Sequence, residues 1–374
     1  MVNAPAAWFS RPAARAWTGP PAPAAEVAAF HWTLPGYAPT PLVEVPPAAV
    51  GLGVRRVFVK DESSRLGLPA FKILGASWGI YRALCDKYGL PAVPLSRLRA
   101  ELARDLGRDL GPVRLITATD GNHGRAVAAM ARLLGLAADV YVPYGVHPAA
   151  MAAIKAEGAG LTEVPGPYDE AVRRAADTAA SAPGALLVQD TAWPGYERVP
   201  QWIVEGYSTL FTEIDEQLAT LGAAPAGLVS VPVGVGSLAQ AAVAHYRSGP
   251  ARPTVLSVEP DAAACILASL HQDEPVTVET GSTTMAGLNC TTPSTLAWPV
   301  LRAGLDAAVT ITDAESAQAA RDLSAVGISA GPCGAASLAG TRTALTYRRA
   351  LAPEHGDTIV LLNTEGQAAN PSLP

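Results

Sequence analysis

The sequence predicts an α/β protein with two open, twisted, mostly parallel sheets covered by helices. Short apolar runs such as 113–117, 228–233, 254–258 and 358–362 alternate with helical stretches of about 10–15 residues, the pattern of parallel strands joined by crossover helices. Glycine-bearing turns stand where strands end and helices begin, at 120–124 and 234–236, and another opens a helix at 331–334. The 374 residues, 49% hydrophobic and 16% charged, are enough for a large core and two to three domain-lengths of chain.

Residues 1–50 are Pro/Ala-rich with aromatics at Trp8, Trp17, Phe30, Trp32 and Tyr37, and read as an arm that docks by its rings. A strand at 57–59 runs into two acids and a polar loop. A helix follows, with apolar positions at Leu74, Trp78, Tyr81 and Cys85. Residues 91–112 read as a charged, partly helical insert. Strands are then expected at 113–117, 139–142, 161–164 and 185–189, with helices at 121–134, 149–157 and 168–180. After the break at Pro194-Gly195, a single long helix is expected over 197–221. Strands at 228–233, 254–258, 308–311 and 358–362 follow, with helices at 237–247, 262–271, 314–325 and 334–348. The span 76–193 reads as a smaller domain set into a larger one formed by 1–75 and 194–374.

Composition excludes several function classes. A net charge of −6 without a basic run argues against nucleic acid and anionic membranes as partners. No run of ~18 apolar residues is present, so no membrane span is expected, and the N-terminus lacks the pattern of a secretory signal. Four widely spaced cysteines without CxxC, and histidines that do not cluster with them, argue against structural zinc and for a reduced, cytoplasmic setting. Cys265 and Cys290 flank the polar stretch 272–290. They are read as close enough to pair, with two buried free thiols as the alternative.

Lys72 is the first chemical candidate. The chain has only four lysines, Lys60, Lys72, Lys87 and Lys155, and uses arginine elsewhere for positive charge. Arginine does not lose its proton in proteins, whereas a desolvated lysine amine can do imine chemistry. Lys72 stands between Phe71 and Ile73 at a loop-to-helix junction; an exposed lysine is the plain alternative.

Five loops stand beside it. Thr119-Asp120-Gly121-Asn122-His123-Gly124 ends a strand and opens a helix, where open sheets bind ligands. Taken alone, the loop is better explained as an ordinary helix cap by Asp120 or Asn122, and His123 reads as structural rather than as a base. Gly234, Val235, Gly236, Ser237 and Leu238 also join a strand to a helix and suit a phosphate dianion. The same loop fits a loose dinucleotide fingerprint, Gly234-x-Gly236-x-x-Ala239, with Glu259 about 20 residues on as a ribose acid. Gly331-Pro332-Cys333-Gly334 and Asn363-Thr364-Glu365-Gly366 are further junction turns. In the second, Thr364 or Asn363 is placed to bond a ring nitrogen without protonating it. The polar loop 281–288 is a candidate for facing substrate.

In their order along the chain these motifs resemble the tryptophan-synthase-type, fold type II pyridoxal-phosphate enzymes, and in detail the diaminopropionate ammonia-lyase family. The resemblance rests on KDES with GLPAFK, ATDGNHGRA, QDTAWPGY, VGVGSLA, SVEP, TTMAGLNC, GPCGA and NTEG, and covers residues 30–370. TDGNHG and QDTAW are its more specific pieces, since hydroxyamino-acid dehydratases usually carry serine where Asp120 stands. It implies pyridoxal 5'-phosphate as cofactor, with Lys72 carrying its aldehyde, Asn122 at its 3-hydroxyl and the amides of 234–238 at its phosphate. It further implies Asp120 and Asp190 as acid/base groups, a cofactor-binding larger domain, a mobile smaller one and a homodimer. Two turns depart from the family pattern. Asn363-Thr364-Glu365-Gly366-Gln367 replaces Ser-Thr-Glu-Gly-Asp, and Gly331-Pro332-Cys333-Gly334-Ala335 stands where Glu-Ser-Gly-Ala is usual.

The expected reaction is α,β-elimination of ammonia from 2,3-diaminopropionate, a small amino-acid substrate, giving pyruvate and ammonia. Serine/threonine dehydration or β-replacement would keep the cofactor and change the outcome. A nicotinamide-dependent dehydrogenase and a cofactor-holding protein without turnover are the readings from other classes. No metal is expected.

Overall fold

A computed structural model describes residues 7–20, 22–90, 93–104, 113–346 and 358–369. Part of the expected insert at 91–112 and the end of the expected helix at 334–348 lie outside these residues. The chain packs as two compact units. The first comprises Met1–Ala24, Pro39–Ser64 and Ser208–Ala368; the second comprises Ala25–Ala38, Arg65–Tyr207 and Ala369–Pro374.

The first unit holds a seven-stranded sheet in the order β1-β10-β9-β8-β11-β3-β2. Its central strands are β3 (Arg56–Asp61), β8 (Leu228–Pro232), β9 (Thr254–Pro260), β10 (Ala307–Ile311) and β11 (Thr358–Asn363), all parallel. Two short antiparallel strands, β1 (Trp8–Ser10) and β2 (Leu42–Glu44), close its edges. β8, β9 and β11 are buried along their whole length, which is why they read as continuous apolar runs rather than alternating ones. Val57, Val258, Val309 and Leu361 pack with Ala335, Ala336 and Leu338 of the Pro332–Thr346 helix. That helix lies so close that a Cβ at Gly340 would strike the Val258 side chain.

The second unit holds a four-stranded, all-parallel sheet, β6-β5-β4-β7, made of β4 (Arg114–Ala118), β5 (Ala137–Pro143), β6 (Gly160–Val164) and β7 (Ala185–Leu187). The Asn122–Leu134, Pro148–Ala156 and Tyr168–Ser181 helices connect them. Ile116, Ala118, Val164, Ala171 and Ala175 form one core cluster.

The single long helix expected over 197–221 is two, Arg198–Gly206 and Ser208–Thr220. Packing explains the break. A Cβ on Gly206 would sit 2.5 Å from the Leu74 carbonyl oxygen, and one on Gly75 2.5 Å from the Tyr207 ring. The Arg198–Gly206 helix therefore lies against the Lys72–Tyr88 helix with backbone close to backbone. This pairing takes both helices into the second unit, whose span exceeds 76–193 at both ends. No helix among the described residues is long and apolar enough to cross a membrane.

Candidate active site

In the second unit, Lys72 is the first residue of the Lys72–Tyr88 helix. Its ammonium donates to Asp190 Oδ2 at 2.7 Å; the two side chains are 25% and 11% exposed. Burial presses the Lys72 pKa down, but the charges of Asp190, Tyr207 and Asp120 outweigh it and hold it above its ordinary value. Asp190 is pushed up by burial, yet held down at about 2 by His123 and Lys72. The pair is thus an ammonium and a carboxylate.

Asp190 is fixed from behind by Gln189. The Gln189 Oε1 accepts the Ala118 amide at 3.0 Å, and its Nε2 donates to Tyr168 Oη at 2.7 Å. The Gln189 amide itself donates to Tyr196 Oη at 2.9 Å. These bonds tie the segment after β7 to the end of β4. Neither Gln189 nor Tyr196 was marked by the sequence as part of the site; both lie in the QDTAWPGY motif.

Asn122 opens its helix and Asp120, exposed, precedes it. The sequence offered Asp120 or Asn122 as the cap. Thr119 does that work, its Oγ1 accepting the amides of Gly121 at 2.9 Å and Gly124 at 3.0 Å. Gly124 is required by packing, since a Cβ there would meet the side chains of Thr119 and Val140.

In the first unit, residues 234–238 join β8 to the twelve-residue Ser237–Ser248 helix. Gly236 has φ +102°, and an added Cβ would meet Leu301 at 2.9 Å and Ala297 at 3.0 Å. A Cβ on Gly234 would meet Cys290 Sγ at 2.9 Å and the Gly287 carbonyl at 3.1 Å. Both glycines are demanded by the fold as well as by any ligand. Polar loop 281–288 is anchored by Asp313, which accepts Thr283 Oγ1 at 2.6 Å and the Thr284 amide at 3.0 Å.

The turns at 331–334 and 363–366 interlock. The Gly331 amide donates to the Glu365 carbonyl at 2.9 Å, and the Cys333 amide to Glu365 Oε1 at 3.2 Å. Asn363 Nδ2 donates to Asp61 Oδ1 at 2.8 Å and to the Ser329 carbonyl at 3.0 Å. Both amide hydrogens are therefore committed. Its Oδ1 is buried without a hydrogen-bond partner among the described residues, facing Gly334.

Two further expectations meet the structure here. Glu259 is buried, and its two oxygens accept the amides of Ile266 and Leu267, each at 2.8 Å, capping the Cys265–Gln272 helix. Burial, opposed by those amides, raises its pKa to about 8. A carboxylate spent on a helix cap cannot bind a ribose, so the dinucleotide fingerprint is coincidental. All four cysteines are free thiols. Burial, then the charges of Glu259 and Cys290, push the Cys265 thiol well up.

The pattern of the family described as "Pyridoxal-phosphate dependent enzyme" matches residues 33–365. The diaminopropionate ammonia-lyase of Salmonella typhimurium is 39% identical over 303 residues, 79% of this chain and 74% of that one. The chain belongs to the diaminopropionate ammonia-lyase family of pyridoxal-phosphate dependent enzymes. The Escherichia coli diaminopropionate ammonia lyase solved with D-serine superposes with a TM-score of 0.87 at 32% identity, covering 96% of this chain and 94% of that one. Its complex with an aminoacrylate-PLP azomethine reaction intermediate gives 0.84 at 32% identity, with 96% and 94% covered.

The fold is thus that of the fold type II pyridoxal-phosphate enzymes, and pyridoxal 5'-phosphate is the cofactor. The residues present fit such a group. Lys72 is a partly exposed amine at a helix start, and the 234–238 loop opens the Ser237–Ser248 helix, whose N-terminal end suits an anion. The other lysines are otherwise engaged. Lys60 is buried against Glu213, Lys87 donates to the Ala185 carbonyl at 2.7 Å, and Lys155 is on the surface. Replacing Gly236 with a bulky residue should lower retained cofactor, read as absorbance per protein after dialysis. Unchanged cofactor content would count against phosphate binding there.

Proposed function

We propose that this chain is a pyridoxal-phosphate-dependent ammonia-lyase that eliminates ammonia from 2,3-diaminopropionate to give pyruvate and ammonia. The observation that carries this is the Lys72–Asp190 pair, a lysine for the aldehyde joined to a carboxylate for the α-proton. Lys72 would hold the cofactor's aldehyde, Asn122 its 3-hydroxyl, and the amides of 234–238 its phosphate. Thr364 is read as the ring-nitrogen partner in preference to Asn363, because the Asn363 amide hydrogens are already given to Asp61 and Ser329. A neutral hydroxyl there would leave the ring unprotonated and favour rapid elimination. Domain roles follow the same reading, with the phosphate loop in the larger unit. So do a homodimeric state and a cytoplasmic setting.

Bound pyridoxal phosphate supplies the electron sink that acidifies the substrate's α-hydrogen. The chain supplies the acceptor. Asp190 is a weak base while His123 and the Lys72 ammonium hold it low. Wherever the neighbouring positive charge is lost, burial drives Asp190 upward, where a carboxylate accepts protons better. Gln189, bonded to Ala118, Tyr168 and Tyr196, anchors the backbone next to Asp190.

Borohydride reduction followed by peptide mapping tests the cofactor site. The pyridoxyl label is expected on Lys72 alone, and a label on Lys60, Lys87 or Lys155 would refute the assignment. A panel of 2,3-diaminopropionate, serine and threonine, scored for pyruvate, 2-oxobutyrate, ammonia and β-exchange products, tests the substrate. Faster turnover of serine or threonine than of 2,3-diaminopropionate would replace this reading with dehydration.

A further inference from the structure

Asp190 has a second nitrogen neighbour. His123 is 3% exposed. Its Nε2 carries the hydrogen, because it donates to the Val188 carbonyl oxygen at 2.8 Å. Nδ1 is left with a lone pair. It is buried, has no hydrogen-bond partner among the described residues, and lies 3.7 Å from Asp190 Oδ2. Burial, opposed by Asp190 and reinforced by Lys72, holds the ring below its ordinary pKa and neutral.

A buried acceptor without a donor costs roughly 1–3 kcal/mol and asks for a reason. The reason lies in which oxygen it faces. Oδ2 is the atom that meets both Lys72 Nζ and His123 Nδ1. With Lys72 as an ammonium, Oδ2 has its donor. Without a donor from Lys72, Oδ2 faces an acceptor, and the two match only if the carboxyl carries a proton.

We propose that His123 is a positioning residue for Asp190, its unprotonated Nδ1 accepting the hydrogen of the Asp190 carboxyl once Asp190 has taken the substrate's α-proton. This rests on Asp190 being a proton acceptor in the proposed reaction. The α C–H bond breaks, its electron pair stays on the substrate, and the proton becomes an O–H on Asp190 shared with Nδ1. No oxidant or reductant enters. The other titratable groups around the pair are Lys72, Asp120, Tyr207 and Tyr196.

Two replacements separate this role from a structural one. A glutamine amide nitrogen stands near the position of Nε2, so His123→Gln keeps the donor for Val188 and removes the acceptor. An asparagine amide stands near Nδ1, so His123→Asn keeps a polar group there and gives up the Val188 bond. In the holoenzyme, His123→Gln should lower kcat about tenfold on the isomer that Asp190 serves. KM and the unfolding temperature should be held, and the acidic limb of the kcat–pH profile should move. His123→Asn should keep more kcat and unfold earlier. Nitrogen-15 NMR of the histidine-labelled holoenzyme should show Nε2 protonated and Nδ1 bare near neutral pH. A parental kcat and pH profile in His123→Gln, or a protonated Nδ1 at rest, overturns the proposal. Asp190→Asn, measured alongside, tells the two failures apart. If it too leaves both isomers unchanged, the Asp190 reading falls and His123's role with it. If it loses turnover where His123→Gln does not, only the His123 role falls.

Discussion

Replacing Glu213 with leucine should destabilise the protein by about 3–5 kcal/mol, the cost of leaving a buried charge without its counter-ion. Lys60 and Glu213 are both buried, with Nζ 2.6 Å from Glu213 Oε2. Nζ also donates to the Thr40 carbonyl at 2.7 Å and to Gln217 Oε1 at 2.9 Å, and Gln217 Nε2 reaches the same carbonyl at 2.9 Å. These bonds tie β2's approach and β3 to the Ser208–Thr220 helix, all within the first unit. Surface ion pairs contribute about 0–1 kcal/mol, so the size of the effect distinguishes this pair from the exposed Arg173–Glu170 contact. The double replacement Lys60→Met with Glu213→Leu should recover most of the loss, because two apolar groups need no partners. Denaturant midpoints of the two variants and the parent measure it. A Glu213→Leu midpoint equal to the parent's would show that Lys60 is neutral or hydrated in the folded state.

The same pair shows what could be read from the chain and what could not. A lysine and a glutamate 153 residues apart carry no local signal, and Lys60 stood in the sequence only as one of four lysines. The alternation of strands and helices was legible because β8, β9 and β11 are buried along their whole length and are mostly apolar. The N-terminal arm was not. β1 is three residues long and exists through its pairing with β10, and the adjacent Arg15 is held by Asp306 at 2.9 Å, contacts that only tertiary structure supplies. The break at Tyr207 had a marker in Gly206, but a glycine within a helical pattern does not say whether another helix will press against it. Within the site, glycine loops were legible as places where backbone approaches something, and illegible as to what. Gly234 and Gly236 are crowded by Cys290, Leu301 and Ala297 of the same chain. Glu259 matched a fingerprint by spacing alone and is a helix cap.

Asp120→Asn and Asp190→Asn should divide the two isomers of 2,3-diaminopropionate between them. The α-hydrogens of the D and L isomers point to opposite faces of the cofactor plane, so one base cannot serve both. The family resemblance assigns Asp120 to the D isomer and Asp190 to the L isomer. Their surroundings differ in the way two such roles need. Asp190 is nearly buried, follows the anchored Gln189 and is paired with Lys72. Asp120 is exposed at the end of β4, its charge still felt at Lys72. Two carboxylates beside a substrate that brings its own carboxylate are unfavourable unless a second cation arrives with it. A diamino acid brings one, whereas serine and threonine do not. A general base contributes typically 10²–10⁴-fold, so each variant should lose about that factor in kcat on one isomer and little on the other, with the preference reversed between them. The alternative, that Asp120 only caps its helix, predicts a stability loss of about 1 kcal/mol without stereochemical preference, and the Thr119 bonds to Gly121 and Gly124 already weaken it. Pyruvate formed from each isomer separately, by parent and both variants, decides the matter. Equal small losses on both isomers would reject the division of labour, and a parent inactive on both would reject the diamino substrate itself.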